Sequence, residues 1–107
     1  MKGGATRRRA AGRVSSTPMK YVVLHEAAPD FRAKAALHFP AHQALWARFR
    51  AEGTLLMIGP FTDDPAGSAM GIFTTRAAAE AFVAADPFVA NGVVARSTIR
   101  EWNEVLT

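Results

Sequence analysis

No cysteine occurs anywhere in the sequence. Disulfide bonds, thiolate metal sites and a cysteine nucleophile are therefore excluded, and a reducing cytoplasm is the expected location. No apolar run approaches the roughly 18 residues that a membrane-spanning helix needs, so no membrane association is expected. No apolar segment of the kind found in a secretory leader follows the early arginines. Acidic residues are missing from one end. Residues 1–18 contain Lys2, Arg7, Arg8, Arg9 and Arg13 and no Asp or Glu, whereas the other 89 residues carry eight Lys/Arg against nine Asp/Glu. The formal charge of +4 thus belongs to the terminal segment alone.

That segment, "MKGGATRRRAAGRVSSTP", has hardly any large apolar side chain to offset the entropy of ordering it. Residues 1–18 are expected to form a disordered basic tail. Three readings stand side by side: a flexible appendage, a stretch ahead of a true start at Met19, or a basic arm for nucleic acid. A triple-arginine run is usually only solvated, so nucleic acid is the least favoured partner. Residues 19–107 form the folded unit. Half of the 107-residue sequence is apolar and about a fifth is charged, which suits one two-layer domain.

From Met19 the pattern becomes regular. "MKYVVLHEA" reads as a strand by its β-branched and aromatic content. "PDFRAKAALHF" reads as a connection with at most a helical turn. Pro40 is placed to open a helix and Gly53 to cap its end. "TLLMIGPF" and "AMGIFTT" are further strands around the turn-rich "TDDPAGS". "RAAAEAFVAA" is a short alanine-rich helix, and a last strand lies within "VVARSTIREWNEVL". The order βαββαβ predicts an α+β, ferredoxin-like sandwich, with both helices on one face of the sheet.

The strands carry a second message. A sheet with one face in water should alternate apolar and polar residues, yet "YVVL", "LLMI" and "MGIF" are nearly continuous apolar runs. Something must cover the other face. A second copy of the sheet is the simplest cover, which predicts a homodimer packed sheet to sheet.

His42, Leu45, Trp46 and Phe49 share one helical stripe, as do Ala79, Phe82, Val83 and Asp86 on the second helix. His42 is placed in a first helical turn, near unpaired N–H groups that favour a neutral ring. Asp86 closes its stripe at a helix C-terminus, on the core side, where a carboxylate needs a partner. The split βαβ topology brings the start of one helix beside the end of the other. His42 and Asp86 are therefore predicted neighbours, with the carboxylate fixing the imidazole tautomer for acid–base work. Asp86-Pro87 also reads as an N-cap followed by proline at N1, opening a short turn through "PFVAN" with no catalysis involved.

The other polar residues offer less. His38 and His42 are four apart, but Pro40 is expected to divide them, and neither HExxH nor a third ligand is present. No metal is predicted. His25, beside Glu26 at a strand end, is expected to be exposed or to line the edge of the cleft. "GPFTDDPAGS" lacks phosphate-loop spacing; Gly59 and Pro60 are expected to shape the pocket wall. Asp63 and Asp64 are expected to be solvated. Ser68 has no positioned base and is expected only to contact substrate. Trp46, Phe61, Phe88 and Trp102 are assigned to core or dimer contacts, with Phe61 and Phe88 also placed to line an apolar pocket.

"FPAHQALWARFRAEGTLLMIGPF", "GIF", "AFVAADPFVANGV" and the strand ending in "REW" resemble, in order and spacing, the YCII-related family from about Met19 to Leu106. The resemblance implies a ferredoxin-like domain that dimerises as an α/β barrel, with a histidine–aspartate pair in a cleft. Residue by residue, that pair is His42 and Asp86. The likeness to dimeric α/β barrels of aromatic degradation, muconolactone isomerases and a dehydrochlorinase-like branch among them, implies cofactor-free proton transfer on a small ring compound. Isomerase and lyase chemistry are both compatible, and a non-catalytic small-molecule binding module is the alternative. The arginine often found before P-A-H is Phe39 here, which implies a less charged ligand.

Overall fold

The computed structural model describes residues 19–106, so the readings of residues 1–18 lie outside the described residues. The chain runs β1 (Met19–Ala27), α1 (Phe31–Ala51), β2 (Leu55–Pro60), β3 (Ala69–Phe73), α2 (Arg76–Ala85), α3 (Pro87–Ala90) and β4 (Val94–Asn103). The four strands form one sheet in the order β2-β3-β1-β4. Every neighbouring pair is antiparallel. This is the ferredoxin-like βαββαβ arrangement, with the one-turn α3 added before the last strand.

Local chemistry explains the helix ends. Thr75 is extended and its side chain accepts the Ala78 N–H at 3.1 Å, which starts α2. At the end of α1, Gly53 has φ +83. Its N–H bonds the Arg50 carbonyl at 2.9 Å, and the Thr54 N–H bonds the Phe49 carbonyl at 3.2 Å. This paired closure needs a residue at positive φ, which glycine adopts without strain.

One sequence expectation fails here. Helix α1 does not open at Pro40 but runs through it from Phe31. Proline removes one N–H from the helical ladder, leaving the Ala36 carbonyl without its partner. Ala36 and Pro40 are both exposed, so water can serve that carbonyl. The preceding "FRAKAAL" is rich in strong helix formers, which favours continuation. His38 is thus helical rather than part of an approach, and His42 lies in mid-helix, away from the N-terminal dipole.

The core lies between the sheet and α1 and α2. Val23, Leu45, Phe49, Leu55, Phe73, Ala79 and Phe82 form its buried cluster. Phe49, Phe73 and Phe82 meet with ring centroids 5.2–6.3 Å apart. Burying each such ring contributes about 1.5–3 kcal/mol. Strand alternation turns Val22, Met70, Ile72 and Trp102 to the other face, where they line a shallow apolar depression. Met57 is 66% exposed and Trp102 44% exposed. The far face therefore carries an apolar strip centred on β3, while Lys20, Glu26, Arg96 and Arg100 share that face along β1 and β4.

Candidate active site

The segment after α2 fixes the first functional group. Asp86 ends α2 and caps α3, with an extended backbone (φ −70, ψ 118) and Pro87 as the first residue of the new turn. This sharp change of direction carries its carboxylate inward, to 0% exposure. Its Oδ1 accepts the Phe88 N–H at 3.0 Å. The N-cap reading of Asp86-Pro87 and the inward-stripe reading describe the same residue.

Two imidazoles close on this carboxylate. His42 Nδ1 lies 2.8 Å from Oδ1. His25 Nε2 lies 3.2 Å from Oδ2. Both histidines are buried, at 8% and 7% exposure. Burial pushes the Asp86 carboxyl up, but hydrogen bonds from His25, His42 and the Phe88 N–H, with the charge of His42, outweigh it and bring it down to about 2. An ionised carboxylate only accepts, so each ring turns an N–H towards it. His42 therefore carries a proton on Nδ1, and in the neutral form of the ring Nε2 has the free lone pair. His25 carries its proton on Nε2, and its Nδ1 accepts the Ser97 hydroxyl at 2.9 Å.

Aromatic packing holds the His42 ring. Phe88 stacks on it at 3.9 Å between centroids and 6° between planes. Phe82 meets it edge-on at 6.2 Å. The ring has one orientation, one tautomer and one open nitrogen.

His42 belongs to the wall of a cavity of about 730 Å³ between α1 and the sheet. Phe31, Phe39 and Trp46 line it from α1, and Val23, Leu55, Ile58 and Phe73 from the strands. Among the described residues, its charged or titratable lining is limited to His25, His42 and Arg50. A pocket of this size suits a small organic ligand, oriented by a few polar groups in an apolar shell.

The sequence-derived site residues divide. His42 and Asp86 meet as expected. Gly59, Pro60 and Phe88 line the cavity, whereas Phe61 and Ser68 do not. Phe61 is 40% exposed. Ser68 bonds Asp64, whose carboxyl also accepts the Ala66 N–H at 2.9 Å. These bonds, from Ser68 first and Ala66 next, hold the Asp64 carboxyl below its usual range. Asp64 is thus a loop acid, as expected, whose carboxylate also ties the loop together. Of the two readings of His25, exposed or lining the cleft edge, the structure gives the second: the residue is buried and lines the cavity. Tyr21, Val23 and His25 alternate on one face of β1, and Val23 is 2% exposed. The same alternation turns His25 inward and offered the signal that would have found it. Among the described residues, no cluster of His, Cys, Asp or Glu is arranged to hold a metal, and no helix is long and apolar enough to cross a membrane.

The fold has solved counterparts. The 5-chloro-2-hydroxyhydroquinone dehydrochlorinase of Burkholderia phenoliruptrix AC1100, solved with 2,5-dihydroxybenzoquinone, superposes with a TM-score of 0.66 at 17% identity, covering 78% of this chain and 92% of its own. A Pseudomonas aeruginosa protein gives 0.52 at 20% identity, covering 88% and 99%. An antibiotic biosynthesis monooxygenase gives 0.51 at 18% identity, covering 81% and 98%. No curated protein sequence matches the chain significantly. The model of the YCII-related domain matches residues 19–103, which span every strand and helix described above and both ends of the His42–Asp86 bond. The chain belongs to the YCII-related domain family.

Proposed function

We propose that the protein is a cofactor-independent acid–base catalyst of the cytoplasm, acting on a small aromatic or lactone ring. His42 is the catalytic base and acid, and Asp86 orients it. One observation carries this reading: His42 lines an apolar cavity while its Nδ1 is held by a buried carboxylate, which leaves Nε2 as the nitrogen for a substrate proton. A substrate proton transferred to Nε2 gives an imidazolium opposite the Asp86 charge. The bonding pair left behind forms a new double bond. Displacement of an adjacent double-bond pair onto another atom, which takes the proton back from His42, completes an isomerisation. Departure of a leaving group with the electron pair of its own bond completes an elimination, and His42 then releases its proton to water.

The fold shared with the Burkholderia dehydrochlorinase makes hydroxylated quinones suitable first probes. Titration with 2,5-dihydroxybenzoquinone is expected to quench the fluorescence of Trp46 in the cavity wall. Chloride release is then measured with 5-chloro-2-hydroxyhydroquinone. Quenching with release supports catalysis. Quenching without turnover of that or related ring compounds supports the second reading, a binding module, which the sparse polar lining of the cavity also suits. No quenching and no release overturn the ring-compound assignment.

The proposed assembly is a homodimer joined by the far face of the sheet, supported by exposed Met57 and Trp102 beside Val22, Met70 and Ile72. A charge in such an interface would be desolvated without a partner. Trp102→Glu is therefore expected to shift the mass measured by light scattering from dimer to monomer. A wild-type protein that is monomeric at every concentration would reject the interface.

A further inference from the structure

We infer that His25 is a positioning residue for the proton transfer, holding Asp86 so that His42 stays in its Nδ1–H form; this rests on the acid–base reading above. The carboxylate has two oxygens and three donors, of which the two histidines are buried. Oδ1 takes His42 Nδ1–H and the Phe88 N–H, while Oδ2 takes His25 Nε2–H. The first two bonds alone leave Oδ2 with no protein donor in a site that has 0% exposure. Rotation of the carboxylate about its own axis would then carry Oδ1 away from His42. His25 blocks that rotation by fixing the second oxygen.

His25 is itself anchored from behind. It pairs with Ser97 across β1 and β4, so both side chains rise from the same sheet face. The Ser97 hydroxyl donates to His25 Nδ1 at 2.9 Å, which assigns the remaining ring proton to Nε2, towards Asp86. Ser97, His25, Asp86 and His42 thus form one directed series of hydrogen bonds that ends at the open Nε2 of His42. Both His25 nitrogens are occupied, so His25 lines the cavity without offering a nitrogen to the ligand. Its role runs through Asp86.

The charge balance of the group gives His25 a second consequence. With both rings neutral, the buried group carries one negative charge, and proton uptake at His42 cancels it. The charged or titratable partners of His25 in this group are Asp86, in direct contact, and His42 beyond it. Glu26 and Arg96 bond each other at 2.7 Å in an exposed position. Replacing His25 leaves the carboxylate with less hydrogen bonding and a less defined direction, which should weaken proton transfer more than ligand binding.

The test uses the full chain labelled with ¹⁵N-histidine, first without substrate. In the wild type, His42 is expected to show the Nδ1–H tautomer and His25 the Nε2–H tautomer. His25→Leu should move His42 towards a mixture of tautomers and lower kcat at least tenfold with little change in KM. His25→Gln keeps an N–H donor near the position of Nε2 and should rescue both readouts relative to His25→Leu. An unchanged His42 spectrum in folded His25→Leu overturns the inference. If His25→Leu does not fold, His25→Gln decides: retention of the His42 Nδ1–H form supports the inference, and its loss overturns it. The ring spectrum needs no turnover, so this result is independent of the proposed reaction. Turnover that survives His42→Ala would reject the reaction and leave the positioning result intact.

Discussion

Asp86→Ala is expected to cost about 3–5 kcal/mol of folding stability, because each buried donor left without its acceptor costs about 1–3 kcal/mol. Three donors lose their acceptor at once: His25 Nε2–H, His42 Nδ1–H and the Phe88 N–H. Against a typical total of about 5–15 kcal/mol, this is a large share. The loss should also depend on pH. The folded carboxyl titrates at about 2 instead of the usual 3.8, because the hydrogen bonds to the histidines and Phe88 outweigh burial. A lowered folded pKa stabilises the native state fully above the unfolded value and loses that contribution as pH falls through the folded one. Between about pH 4 and pH 2 the wild type should therefore lose about 2 kcal/mol that Asp86→Ala does not have to lose. Urea unfolding at pH 7 and at about pH 2.5 measures both. A stability gap of equal size at the two values would disprove the assignment of the carboxylate as the ionised centre.

His42→Ala is expected to lower turnover by about 10²–10⁴-fold, the range supplied by a positioned general acid or base. The fold should survive, since Asp86 keeps His25 and the Phe88 N–H as donors. His42→Asn gives the sharper experiment. Its amide nitrogen stands where Nδ1 stood and can donate to Asp86, but no lone pair replaces Nε2. Its stability should lie closer to the wild type than that of His42→Ala, with an equal loss of turnover. Kinetics on a ring substrate together with thermal unfolding separate the two effects. Turnover at the wild-type level in either variant would remove His42 from the reaction.

Much of this site was legible before any coordinates. Local patterns located β1 and α2, and the inward stripes placed His42 and Asp86 on the core side of their helices. Topology then brought them together. The misreading at Pro40 came from treating a proline as a helix boundary, when its lost hydrogen bond falls on an exposed stretch. Local sequence does not reveal which carbonyls water will reach. The burial of His25 was legible in the alternation of β1, but its place at a strand end beside Glu26 left an exposed reading open beside the cleft-edge one. Its partners are 61 and 72 residues away, and no spacing rule connects residues at that range. Cavity walls posed the same difficulty. Gly59 and Pro60 reach the cavity from β2, while Phe61, just beyond that strand, is turned out of it.

The hydrogen bonds from Ser97 through His25 and Asp86 to His42 have a consequence for folding. They join β4, β1, the α2–α3 junction and α1, across sequence separations of 72, 61 and 44 residues. None can form within a single element, and each requires a long loop to be closed first. Contacts of this range belong to the slow, topology-determined part of folding. A partly folded chain, with its hairpin or either helix formed alone, would contain every residue of the site and none of its geometry. Appearance of the His42 Nδ1–H signal during refolding therefore marks the moment at which all four regions have met.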